Sequence, residues 1–61
     1  MVYEKIVKIS KERRISITKI EDMAELGHGT IGKWKTVDPQ IGNVKKVADA
    51  LNVSLNELLE D

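Results

Sequence analysis

The chain has no cysteine and no phenylalanine, a single proline, one tryptophan and one tyrosine. Without cysteine, no disulfide and no cysteine-based metal site can form, which suits a reducing compartment. The lone histidine makes no zinc site unaided. No apolar run approaches the roughly 18 residues a membrane span needs, and no membrane partner is expected. Glu4, Lys5 and Lys8 interrupt the start, so it does not read as a signal peptide and a cytoplasmic location is expected. Charge of one sign is missing too: ten basic and ten acidic residues cancel, which removes any global argument for a polyanionic partner. No paired-carboxylate cleft is visible, and no nucleophile stands beside the histidine. A domain of 61 residues leaves little room for a pocket of about 300 Å³. The expectation is therefore a non-enzyme with no cofactor, no metal and no small-molecule substrate.

What is present is one small domain, residues 1–61, of a size that buries only roughly 60% of its unfolded surface. Its charges are unevenly placed. Residues 1–14 carry net +3, 15–26 net −2, 27–38 net +1 and 39–61 net −2, so a local basic face can exist on a neutral molecule. Residues 2 to about 13 read as a helix, with Val2, Ile6 and Ile9 at helical spacing and Lys5, Lys8, Lys11 and Glu12 on the other side. The β-branched residues there also suit a strand, so packing has to hold this helix. Lys11, Arg13 and Arg14 read as a solvated helix end rather than a phosphate clamp.

Ser16 is placed to cap a second helix that runs to about Ala24, with Ile15 and Ile20 placed as a hydrophobic staple. Ile17 or Ile20 is buried with Ala24, while Glu21, Asp22 and Glu25 are expected in water. After a short break, a third helix is expected from near His28 to near Thr36. Rotation of ~100° per residue puts Ile31 and Trp34 on one face and Gly29, Gly32, Lys33 and Thr36 opposite. Val37-Asp38-Pro39-Gln40 is a loop, because Pro39 cannot lie deep in a helix but can open one. A fourth helix then runs to about Leu51, burying Ile41, Val44, Val47, Ala48 and Leu51, with Lys45 and Asp49 at ion-pair spacing. Ser54-Leu55-Asn56-Glu57 matches a capping box, and a short last helix carries Leu55, Leu58 and Leu59.

The stretch Gly27 to Lys35 admits two readings. Gly27, Gly29 and Gly32, followed by Lys33, have the spacing of a phosphate cradle. Such a cradle needs a strand before it, and a segment with helical, acidic character precedes this one. Trp34 also stands where a magnesium-binding Ser or Thr belongs. The other reading is the second helix of a helix-turn-helix, with Ile31 and Trp34 inward and small or polar residues outward. The glycines cost about 1 kcal/mol each in a helix interior.

At this point the chain resembles a family. Ser16 to Trp34, Pro39, and Val47-Ala48-Asp49-Ala50-Leu51 through Leu59 look like the phage-repressor and Cro-like helix-turn-helix proteins. The resemblance implies a lambda-repressor-like all-α domain of five short helices, with helices 2 and 3 as the motif and helix 3, about 28–36, in the major groove. It further implies that Ser16 caps helix 2 against the DNA backbone. By the same resemblance, His28 and Gly29 open the helix that meets base edges, and Lys33 lies a turn further on. Thr30 and Thr36 occupy positions that approach bases or phosphates, and Asn43 runs beside the backbone. The family's two-fold mode of binding implies a homodimer, to which Tyr3 and the Leu55-Leu58-Leu59 group could lend an apolar patch.

This sequence also departs from the family's habits. Glu25 stands where glycine is usual in the interhelix turn, a position that often needs a left-handed backbone, which costs a non-glycine residue about 1 kcal/mol or more. Glu21 replaces a small alanine. Gly27 replaces a capping serine, and Ser10 and Lys35 stand in place of an arginine–glutamate pair.

The expected function is thus sequence-specific binding of double-stranded DNA by a transcriptional regulator of the prokaryotic or phage repressor type. The paired glycines leave few side chains for direct readout, so DNA shape is expected to matter more than usual. The rival is a protein-interaction module with the same fold and little DNA affinity.

Overall fold

Ile6 lies on the apolar stripe of the first helix and is fully enclosed. The computed structural model describes residues 1–60, and these form five α-helices and no strand. They are α1 (Val2–Arg13), α2 (Ile17–Met23), α3 (Thr30–Lys33), α4 (Ile41–Leu51) and α5 (Leu55–Leu59). No helix among the described residues is long and apolar enough to cross a membrane. Every helix gives the core at least one fully enclosed side chain: Ile6 from α1, Ile20 from α2, Ile31 from α3, Val44, Val47 and Leu51 from α4, and Leu58 from α5. Ala24, Trp34 and Ala48 complete it. Helix α4 packs against both α2 and α5, and α1 closes the bundle against the same two. The radius of gyration, 10.0 Å, is that of a tightly packed chain of this length.

Local chemistry starts α2 and α5 where the sequence places a serine cap. The Ser16 hydroxyl accepts the Lys19 amide at 3.0 Å, and the Ser54 hydroxyl accepts the Glu57 amide at 3.1 Å. The Lys45–Asp49 pair forms at 3.9 Å on the exposed side of α4. Ser10 is buried, but its hydroxyl donates to the Val7 carbonyl at 3.0 Å, so it carries no unmet hydrogen bond.

Three helices end by the same device. Arg14, Glu25 and Asn52 follow α1, α2 and α4 in left-handed backbone, with φ of 57°, 59° and 57°. In each case this residue's amide bonds back three positions and the next residue's amide bonds back five, which satisfies carbonyls left open at the helix end. The residues supplying the second bond are Ile15, Leu26 and Val53, and all three pack, partly buried, on the core. An apolar residue just past the helix thus locks each turn into the interior. The left-handed position expected at Glu25 is present, and Arg14 shares it. Arg13 is not a merely solvated helix end, because its guanidinium donates to the Leu51 carbonyl at the C-terminus of α4. This ties α1 to α4 where the helix dipole is negative.

Ile41 departs from the expected burial, and Leu59, whose burial the sequence leaves open, is exposed as well. Ile41 is 59% exposed and Leu59 is 45% exposed. Ile41 opens α4 and lies to one side of the stripe through Val44, Val47 and Leu51, beyond the reach of the bundle. Leu59 closes α5 one position past Leu58, which takes the buried direction.

Candidate nucleic-acid interface

The candidate surface is built from α2, the turn after it, α3 and the start of α4. The α2 helix enters from Ser16, whose extended backbone (φ −76°, ψ 157°) and hydroxyl set the first turn. Ser16 is exposed, so its hydroxyl remains open to solvent on the side away from the Lys19 amide. Ile20 and Ala24 anchor α2 in the core. The left-handed Glu25 then reverses the chain and delivers Leu26 to the interior.

Helix α3 is shorter than the expected span from His28 to Thr36. Gly29 precedes it with φ 90°, a left-handed value that stops the helix from extending back to His28. After Lys33 the chain continues as tightened turns. The amides of Trp34, Lys35 and Thr36 each bond three residues back, to Ile31, Gly32 and Lys33. The inward pair is as expected, with Ile31 enclosed and Trp34 5% exposed. Gly32, Lys33 and Thr36 face solvent, and Thr30 is half-buried.

The two glycines of the outward face differ in their reasons. Gly29 occupies backbone that L side chains rarely adopt, so the fold itself calls for glycine there. Gly32 has ordinary helical backbone, and a Cβ built on it meets nothing within 4 Å. No internal packing requires that glycine.

Glu21 overturns the expectation that it lies in water. It is 2% exposed. Its two carboxylate oxygens accept the Gly29 amide at 3.2 and 3.1 Å, and Oε2 also accepts the Ile31 amide at 2.9 Å. On a helical wheel Glu21 borders the apolar stripe of α2, and the arrival of α3 covers that border and brings amide donors to it. The Glu21 carboxylate thus caps the neighbouring helix, whose cap position holds Gly29 and offers no side chain of its own.

His28 is exposed and does not stand alone. Its Nε2 lies 2.7 Å from Asp22 Oδ1. That hydrogen bond raises the imidazole's pKa above the ordinary 6.5, and the negative charge of Asp22 and then of Glu21 raises it further against a small opposing effect of burial. The imidazole therefore holds its positive charge to higher pH than a free histidine does. Lys33 is an exposed cation and, among the described residues, makes no ion pair. Lys35 Nζ lies 5.5 Å from the centroid of the Tyr3 ring, a cation–π contact that joins α1 to the turns after α3.

The expected site residues fall into one group and two outliers. His28, Gly29, Thr30, Lys33 and Thr36 lie on α3 and its flanking turns. Ser16, at the start of α2, and Asn43, half-buried in the first turn of α4, belong to other elements; α2, which packs on both α3 and α4, links them to the group. Asp22 and Glu21 escape the sequence reading. The one signal for Glu21 is its departure from the small residue that resembling sequences carry, and Asp22 gives none beyond lying six positions before a histidine. Searches among protein-family models, curated proteins and solved structures match nothing to this chain.

Proposed function

We propose that this chain binds double-stranded DNA sequence-specifically as a transcriptional regulator of the repressor type. In this reading α2, the Glu25 turn and α3 act as a helix-turn-helix, with α3 and its flanking turns in the major groove and α1, α4 and α5 as the supporting core. The observation that carries it is the outward side of α3. Trp34 and Ile31 point into the core, while the exposed side offers the cation Lys33, the His28 imidazole held by Asp22, the hydroxyl of Thr36 and the bare backbone of Gly32. Lys33 and the charged form of His28 suit phosphates or guanine edges. Ser16 and Asn43 flank the DNA backbone, and Gly29 and Thr30 bring the chain to the groove. So few reading side chains leave much of the specificity to DNA shape and deformability.

The protein acts as a homodimer in the cytoplasm, each copy reading one half-site. Selection of binding sites from random duplex DNA tests this. Two short half-sites related by two-fold symmetry are expected, with affinity falling steeply as salt rises, by a log–log slope of about −0.9 for each phosphate neutralised. Long, sharply defined half-sites contradict the shape-reading part.

A second reading keeps the fold and makes it a protein-interaction module. Exposed Val37 and Ile41, 61% and 59% accessible in and after the loop that follows α3, favour it. Absence of binding to any duplex at low salt, together with capture of a protein partner, decides for that alternative.

A further inference from the structure

Among the described residues, Glu21 is the one buried side chain that carries charge. It belongs to α2, yet its side-chain hydrogen bonds all go to the segment that opens α3. A helix start leaves its first amides without partners, and Gly29, at the cap position of α3, has no side chain to meet them. The Glu21 carboxylate supplies what is missing from outside the helix. It grips two amides, Gly29 and Ile31, that are two residues apart. One contact would fix only a distance, whereas two fix the tilt and rotation of the first turn of α3 against α2. Hydrogen bonds to a carboxylate are stronger than neutral ones, and a buried carboxylate that loses its donors is strongly disfavoured. Other placements of α3 that release a donor are disfavoured for the same reason. The same geometry closes the start of α3 to outside anions, because the protein's own carboxylate already occupies those amides.

We infer that Glu21 is the positioning residue of the proposed DNA surface, on the strength of the DNA reading above. It touches no DNA. It sets the placement of α3 on which the reach of His28, Lys33 and Thr36 depends.

Glu21→Gln tests this, because it keeps the shape, removes the charge and puts an N–H donor where an acceptor stood. Amide exchange is measured without DNA on both proteins, and duplex affinity is measured at a temperature where both are folded. In the variant, Gly29 and Ile31 are expected to exchange about tenfold faster or more relative to the core amide of Val47. Affinity for a selected duplex is expected to fall about tenfold or more, while affinity for random-sequence duplex changes less than about twofold. Unchanged exchange at Gly29 and Ile31 overturns the inference. So does an equal loss of affinity for both duplexes, which marks Glu21 as a packing residue only.

If the variant does not fold, the wild-type protein still answers. Coupling across the hydrogen bonds, between the Glu21 carboxylate carbon and the amide nitrogens of Gly29 and Ile31, is expected by NMR, and its absence overturns the placement. Failure of the wild-type protein to bind any duplex overturns the DNA reading, whereas the exchange and coupling measurements stand or fall on Glu21 alone.

Discussion

Replacing Gly32 with alanine should move stability and DNA affinity in opposite directions. Gly32 is exposed in α3, its backbone is ordinary for a helix, and an added Cβ meets nothing within 4 Å. The free domain therefore has no reason to resist a side chain there. Glycine costs about 1 kcal/mol against alanine in a helix interior, through the greater freedom of the unfolded chain. Because α3 has only four residues, about half of that cost applies. A gain of about 0.5 kcal/mol is expected, a rise in Tm of roughly 2–4 °C for a domain of this size. Thermal and urea denaturation read this directly. If α3 lies in the major groove with its backbone close to the DNA, the new methyl occupies space the complex needs. Affinity for a selected duplex should then fall by about tenfold, or ~1.4 kcal/mol. A stabler protein with unchanged affinity would refute the close approach at Gly32. A less stable protein would refute the description of α3 itself, since nothing in the fold then explains the loss.

Three further perturbations follow from the same geometry. Glu25→Gly relieves a left-handed non-glycine residue at φ 59°, and after the added chain entropy of glycine it should stabilise by about 0.5–1 kcal/mol in urea denaturation; a loss of stability contradicts the turn. The His28 imidazole should titrate above 6.5 by NMR, with Asp22→Asn returning it toward that ordinary value. Because its folded pKa is raised, the pair's stabilisation is fully present below pH 6.5 and is lost as pH rises through the folded value; DNA affinity should weaken over the same window, and equal affinity on both sides of it removes His28 from the interface. Arg13→Ala removes the guanidinium that caps the Leu51 carbonyl and should destabilise by about 1 kcal/mol, with no change in DNA affinity once both proteins are folded.

The parts readable in the sequence are those set by local chemistry. Ser16 and Ser54 announce helix starts because a hydroxyl there meets a free amide whatever packs nearby. Ile31 and Trp34 announce an inward face because a three-residue spacing leaves them few other directions. Glu25 is readable through the family resemblance, which marks its place as a turn. Arg14 adopts the same left-handed backbone without any such sign.

What escapes depends on neighbours distant in sequence. A polar residue on the border of an apolar stripe reads as solvated, and Glu21 is buried only because α3 lands on it with two amide donors. The length of α3 turns on the φ of Gly29, which glycine permits in either sign, so the residue type does not decide it. Ile41 looks buried by spacing, but it lies to one side of the stripe through Val44, Val47 and Leu51 at the start of its helix, where the bundle does not cover it.

The most direct measurement of the central claim is an NMR titration of the labelled protein with duplex DNA at low salt. The DNA reading predicts that the amides of residues 28–36 shift, with Ser16 and Asn43, while Leu58 and its neighbours on α5 stay in place, and that the shifts fade as salt is added. No shifts at low salt, or shifts confined to α1 and α5, contradict it.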